Sequence, residues 1–404
     1  MATGMATTAR SPSTFALCIA GALSLAVAMG IGRFAFTPVL PLMIREGQLD
    51  VAAGGWIAAA NYLGYLAGAL TARRLPGGAA RLALLGLALT VALTAAMAWP
   101  GVWLWGAWRF LAGMASAWVF VATAVWCLGA LGQAGKPQAA SWVYAGVGSG
   151  IALAGLHGWA AGVAAVSAST LWLQLALLAL VLSLPVMVVL RQVQAPAAPA
   201  PAAPAGASGI SWGLTFCYGI MGFGYILPAT FLPVLARNVV DNPAAFGLAW
   251  PVFGGVAAVS MLVAGRWLQR RPHVEVWAVC QALMGVGTLL PSLWTNGVAI
   301  LLSALLVGGT FMIVTLAGVQ VARARTLGDP RNAVGRMTAA FAIGQIAGPV
   351  ASALLLHVPS LREHGLDIAL QVAAASLFAT AVWLMRQSRE RRAPHPSTET
   401  SHAR

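Results

Sequence analysis

The apolar residues of this chain form long unbroken runs. Residues 82–104 carry no charge, and residues 276–322 carry none either, interrupted only by the turn signal Trp294-Thr295-Asn296-Gly297. A hydrocarbon core of ~30 Å takes about 20 apolar helical residues to cross, so repeated runs of this length predict repeated membrane spans. Twelve are predicted. The first six cover 14–43, 53–74, 80–98, 102–130, 138–160 and 167–190. The second six cover 211–236, 245–268, 274–294, 297–322, 333–356 and 366–386.

Composition agrees with this pattern. Of 404 residues, 60% are hydrophobic and 8% are charged, against about a quarter charged in a soluble domain. The net charge of +14 would suggest nucleic acid in a soluble protein, but here the basic residues are spread between apolar segments and no nucleic-acid partner is expected. With the N-terminus placed in the cytoplasm, 18 of the 23 Lys and Arg fall on the cytoplasmic side. Three (Arg45, Arg237 and Arg362) fall outside, and Arg33 and Arg109 lie within spans. This asymmetry predicts a multi-pass protein of a bacterial inner membrane with both termini cytoplasmic. Trp99, Trp103, Trp159 and Trp294 near the outer ends fit an interfacial belt. Arg10 followed by an apolar run and Ala26-Val27-Ala28 resembles a signal-peptidase site, but the run continues from Phe15 to Met43, too long for a leader. The four cysteines, Cys18, Cys127, Cys217 and Cys280, are widely spaced in apolar sequence and form no CxxC, so neither a metal site nor a disulfide is expected.

The chain divides almost equally at the Ala/Pro tract between spans six and seven, which reads as an extended linker. The predicted plan is a tail over 1–13, a six-helix bundle over 14–192, a linker over 193–210, a second bundle over 211–387 and a tail over 388–404. The halves resemble each other. Met29-Gly30-Ile31-Gly32 matches Met221-Gly222-Phe223-Gly224, and Leu40-Pro41 matches Leu232-Pro233. Gly68, four residues, then Arg73-Arg74 matches Gly265, four residues, then Arg270-Arg271. Gly135-Lys136-Pro137 parallels Gly328-Asp329-Pro330. Three matches in the same order point to duplication, giving an all-α membrane protein of twelve helices in two pseudo-symmetric six-helix bundles, the parallel-repeat plan of major facilitator transporters.

The run Gly30-Ile31-Gly32-Arg33-Phe34-Ala35-Phe36-Thr37-Pro38-Val39-Leu40-Pro41-Leu42-Met43 closely resembles the helix-1 signature of the YbfB/YjiJ branch of the major facilitator superfamily. Arg109-Phe-Leu-Ala-Gly113 resembles the superfamily's helix-4 motif, and Gly68 with Arg73 and Arg74 resembles its loop 2–3 motif. The family usually places an Asp before the first of those arginines; here Ala72 stands there, and Gln269 in the second copy, so the charged latch of that motif is not expected. Gly146-Val-Gly148-Ser-Gly150 and Gly344-Gln345-Ile-Ala-Gly348-Pro349 resemble the Gly-rich helices that pack the halves together. The resemblance implies transport of a small solute by a monomer, with helices 1 and 4 lining a central cavity.

Arg33 and Arg109 are the residues most open to a chemical role, because a charge at membrane depth is costly and usually faces a cavity or a partner. All nine acidic residues lie in loops, at span edges or in the tail. Two readings stay open. The guanidiniums present a planar donor fork to an anionic solute group such as a carboxylate, or they bond carbonyls freed by Pro38 and Pro41. Asn61, Tyr62, Tyr65, Tyr144, Tyr225 and Gln345 are further polar residues within spans, suited to lining a cavity or to interhelical hydrogen bonds. Gly64 and Gly68 form a GxxxG that close packing explains. His157 and His357 sit near the outer ends, so no intramembrane carboxylate or histidine supports proton coupling.

The glycines of 146–150 lack the strand and the acidic residue of a dinucleotide site. No catalytic triad, HExxH or Walker pattern occurs in a usable context, so neither an enzyme, a cofactor nor a primary pump is expected. The expected cargo is a neutral or anionic metabolite, taken up or exported, since two arginines without acidic neighbours disfavour a cationic one; a sensor that kept the transporter fold and a multidrug exporter remain as alternatives.

Overall fold

The computed structural model describes residues 12–72, 78–192, 211–239, 247–325 and 331–390. The expected linker and both outer tails lie largely outside them, as do Arg73 and Arg74. The described residues form twelve long helices and no strand. The first half comprises α1 (Thr14–Arg45), α2 (Val51–Thr71), α3 (Gly78–Ala96), α4 (Val102–Gln133), α5 (Ala140–Val163) and α6 (Ala168–Leu190). The second comprises α7 (Trp212–Val239), α8 (Ala249–Arg270), α9 (His273–Leu293), α10 (Gly297–Arg325), α11 (Arg331–His357) and α12 (Gly365–Glu390).

Helix starts follow from local chemistry. Ser13, Asp50 and Ser167 accept from the backbone N–H of Ala16, Ala53 and Thr170, satisfying orphan donors at the starts of α1, α2 and α6. Asn296 does the same for Ala299 at the start of α10, within the turn that the sequence marks. Among the described residues nine helices qualify by length and apolarity as membrane-crossing; α2, α5 and α8 do not, though Ala249–Ala264 of α8 is a shorter apolar stretch. These three are rich in glycine and all pack against the opposite half. The outer surface elsewhere is apolar: Leu177, Val181, Leu184 and Val188 form an exposed stripe along α6, 49–60% accessible. Such a stripe suits a hydrocarbon surrounding.

The sequence predicts one continuous first helix; the structure breaks it. α1 is α-helical over Thr14–Leu25, π-helical over Ala26–Arg33, and α-helical again over Phe36–Arg45. Its glycines allow neighbours to close in. A Cβ at Gly30 would run into the Gly150 backbone, and one at Gly32 into Ser116. The N–H groups of Phe34 and Ala35 reach back to Met29 and Ile31 and that of Thr37 turns to Phe34, so no backbone donor among the described residues is seen at the carbonyls of Gly32 and Arg33.

The halves meet along α1–α7, α2–α11 and α5–α8. Thr37 Oγ1 donates to the Ala229 carbonyl at 2.9 Å, and the Tyr62 and Thr230 hydroxyls are 3.1 Å apart. Thr37 and Ala229 are separated by 192 residues, the offset of the internal repeat, so equivalent positions of α1 and α7 touch across the pseudo-twofold axis. Gly148 and Gly254 bring α5 and α8 to backbone contact, and Gly55 lets α2 approach the Pro349 carbonyl. The Gly-rich segments expected to join the halves therefore divide. Gly148 and Pro349 do so, whereas Gly146 and Gly150 pack on α1, and Gly344 and Gly348 pack α11 on α7 within one half. Gly64 and Gly68 pack α2 on Phe110 and Met114 of α4, and Gly113 returns the contact at Asn61 and Tyr65. Gly265 and the exposed Arg270 lie in the last turns of α8, and Pro41 is buried inside α1.

These inter-half contacts concentrate toward the end where α1 finishes and α7 finishes. A Cβ at Gly254 would strike the Ala152 backbone, while at Gly255 it meets nothing. Gly254→Val is expected to cost about 1–3 kcal/mol of overpacking and to lower the thermal midpoint of the purified protein. Gly255→Ala is the control; equal midpoints for the two variants would remove this contact from the account.

Candidate functional site

Between the halves lies a cavity of about 720 Å³, within the ~300–1,000 Å³ usual for small-molecule sites. Leu128, Leu131, Ala140, Gln320 and Thr338 line its mouth, at the ends of α4 and α10 and the starts of α5 and α11. The cavity therefore opens on the side where α1 begins and α12 ends, and the contacts at Thr37, Tyr62 and Gly148 lie beyond its inner end.

Arg33 lines the inner end and is 3% exposed. It is carried by the last residue of the π-helical stretch, so the irregular turn aims its side chain away from α1's own groove. Its Nη2 donates to Gln345 Oε1, and Gln345 Nε2 donates to the Tyr225 hydroxyl. Arg33 belongs to the first half, Gln345 and Tyr225 to the second, so this chain of hydrogen bonds joins them. The guanidinium carbon stands 3.9 Å from the Tyr65 ring centroid and 5.3 Å from those of Phe34 and Tyr62. Ring faces attract the cation by about 2 kcal/mol or more when desolvated. Among the described residues neither Arg33 Nε nor Arg109 Nε has a hydrogen-bond partner. Among the described residues neither buried arginine forms an ion pair; the two ion pairs present are Arg45–Glu46 and Arg271–Glu275 near helix ends.

Arg109 has a different setting. It is 2% exposed and lies outside the cavity lining. Nη1 donates to the Gly32 carbonyl at 2.9 Å and Nη2 to the Arg33 carbonyl, the two acceptors released by the break in α1. Asn61 Nδ2 donates to the Arg109 carbonyl at 2.8 Å, and Ser116 Oγ donates to the Ala28 carbonyl at 2.7 Å. Of the two readings left open by the sequence, backbone binding describes Arg109. The carbonyls it takes belong to Gly32 and Arg33, ahead of the prolines.

The structure thus gathers Arg33, Tyr65, Tyr225 and Gln345 around one point and leaves Asn61 and Arg109 behind it as supports. Tyr144 also lines the cavity, while Tyr62 is committed to Thr230. His157 is paired with Gln174 at 2.9 Å and His357 with the Ala353 carbonyl; neither lines the cavity. Among the described residues no cluster of His, Cys, Asp or Glu could hold a metal ion. The sequence offered one unused signal: extending the repeat by one residue aligns Tyr225 with Arg33, so the two face each other across the pseudo-twofold axis.

A family profile described as an uncharacterised MFS-type transporter, YbfB, matches residues 25–385. No curated protein matches the sequence. Solved structures match over nearly the whole chain. The nucleoside transporter NupG aligns with a TM-score of 0.67 at 13% identity, over 92% of this chain and 98% of its own. A D-xylose–proton symporter aligns at 0.72 with 11% identity, over 92% and 97%. A bacterial homolog of the human lysosomal transporter Spinster, inward-facing and unoccupied, aligns at 0.62 with 15% identity, over 94% and 96%. At these identities the likeness establishes the twelve-helix fold.

The different settings of the two arginines predict different losses. Arg109→Lys leaves at least one freed carbonyl without its donor and is expected to destabilise the protein by about 1.5–3 kcal/mol, the worth of a bond to a charged group. Thermal unfolding in detergent measures this. Arg33→Lys, which keeps a cation beside three rings, is expected to shift the midpoint less; the reverse order would contradict these assignments.

Proposed function

Because this chain belongs to the YbfB family of major facilitator transporters, we propose that it is a secondary transporter of a small anionic solute, held by Arg33 and moved by alternating access of the two bundles. One observation supports the reading: a buried guanidinium on a cavity wall that donates to a neutral amide and, among the described residues, has no ion-pair partner. Taking a charge out of water is expensive unless it is paired, so this residue has the most to gain from an anion that enters the cavity.

The donor geometry supplies a mechanism. Nε and Nη2 form one edge of the guanidinium; Nε is unpartnered and Nη2 serves Gln345. A carboxylate accepting from both would satisfy the first and displace the second. Displacing Gln345 breaks the hydrogen-bond chain from Arg33 to Tyr225, and so loosens the halves where they are closed. Binding and reorientation are thereby linked through one amide. Arg109 acts at one remove, by holding the carbonyl of the residue that carries the site.

The excess of Lys and Arg in the connections on that side supports an open end facing the cytoplasm of a bacterial cell. The protein acts as a monomer in the bilayer, without nucleic acid or cofactor, and carries no catalytic role. A solute that is neutral overall fits the same site if it presents a carboxylate among its groups.

Uptake of organic anions into proteoliposomes tests the reading. Arg33→Gln is expected to slow it at least about thirtyfold, the lower end of the ~2–5 kcal/mol lost when a buried charged partner is truncated. Wild-type uptake in Arg33→Gln would end the assignment of Arg33, and absence of uptake by the unaltered protein would favour a sensor on the transporter fold.

A further inference from the structure

The cavity wall is aromatic to a degree that the rest of the molecule is not. Four of the chain's five tyrosines line it, and no tryptophan side chain among the described residues does. On the first half, Phe120 and Tyr144 lie with ring centroids 6.0 Å apart. On the second, the Tyr225 ring stacks between Phe311 at 5.2 Å and Phe341 at 5.7 Å, within 3° and 9° of parallel. Tyr218 adds a tilted contact to Phe341 at 5.5 Å. Both halves thus offer ring surfaces to the same space, at the end of which stands a single guanidinium.

From this we infer that the solute is a single-ring aromatic monocarboxylate, bound with its carboxylate on Arg33 and its ring between the aromatic walls of the two halves; the inference rests on the reading of Arg33 as the anion site. The charge count sets the first limit. Among the described residues Arg33 is the only charged one in the lining, so a second carboxylate beside it would be buried without a partner, at a cost of several kcal/mol. The wall chemistry sets the second. Tyr218, Tyr225 and Thr315 of the lining already hydrogen-bond within the protein, so a polyhydroxylated solute would have to compete for partners or leave hydroxyls unsatisfied. Rings set the third: aromatic pairs gain from offset or edge-to-face geometry beyond the area they bury, a gain that a saturated ring of equal size lacks. Met29, Met261 and Met312 supply polarizable, adaptable surface beside these rings.

Isothermal titration of the full-length purified protein with benzoate, cyclohexanecarboxylate, benzamide and phthalate tests this. Benzoate is expected to bind about tenfold more tightly than cyclohexanecarboxylate, equivalent to ~1.4 kcal/mol, and more tightly than phthalate or benzamide by a wider margin. Phe341→Leu, or Phe120→Leu should the first variant fail to fold, is expected to narrow the preference for benzoate over cyclohexanecarboxylate. Equal affinity for these two carboxylates, tight binding of phthalate, or no binding of benzoate at millimolar concentration would overturn the inference. Benzamide matching benzoate would instead overturn the reading of Arg33 on which it rests.

Discussion

The structure is organised around two guanidiniums that must be kept at membrane depth without a carboxylate. A polypeptide in hydrocarbon can satisfy such groups only with its own carbonyls, amides and ring faces. Arg109 donates through both Nη atoms to the backbone carbonyls of Gly32 and Arg33. Arg33 has one neutral acceptor and three rings, and its Nε remains without a partner. Both leave Nε without a partner among the described residues, but the first is turned to backbone carbonyls and lies off the cavity. The second lines open space, where an added anion can reach it.

The break in α1 produces both arrangements. Gly30 lets α5 approach to backbone contact and Gly32 makes room for the Ser116 and Thr90 side chains, and the π-helical stretch releases carbonyls that a regular helix would use internally. Arg109 takes up those carbonyls and so fixes the turn from which Arg33 projects. Asn61 in turn accepts the task of holding the Arg109 backbone. The site is thus built in layers, from glycine packing to helix break to guanidinium, and each layer lies on a different helix.

Much of the architecture was legible in the sequence because hydrocarbon imposes a simple rule. Span lengths, the basic side and the internal repeat gave twelve helices in two halves, with ends shifted by a few residues; 53–74 became Val51–Thr71, and 102–130 became Val102–Gln133. The irregularity inside α1 was not legible, since Gly and Pro permit a continuous helix as well as a broken one. Arg33 and Arg109 stood out equally, because sequence reports depth but not which acceptors converge on a side chain. The glycines at 344 and 348 pointed to packing without saying against which partner. Asn61 and Tyr65, four residues apart, shared a helix face as expected, yet one is spent on a backbone carbonyl and the other on the cavity.

The aromatic lining and the hydrogen-bond chain from Arg33 to Tyr225 together describe a site in which Gln345 occupies the place that an anion would take. Making that occupant permanently anionic tests this directly. Gln345→Glu supplies Arg33 with an internal counter-ion, and the Tyr225 hydroxyl can donate to the new carboxylate. The measurement is organic-anion affinity of the purified variant together with its thermal midpoint. The account predicts that anion binding is lost while the midpoint is held or raised. Anion binding at the affinity of the unaltered protein would contradict it.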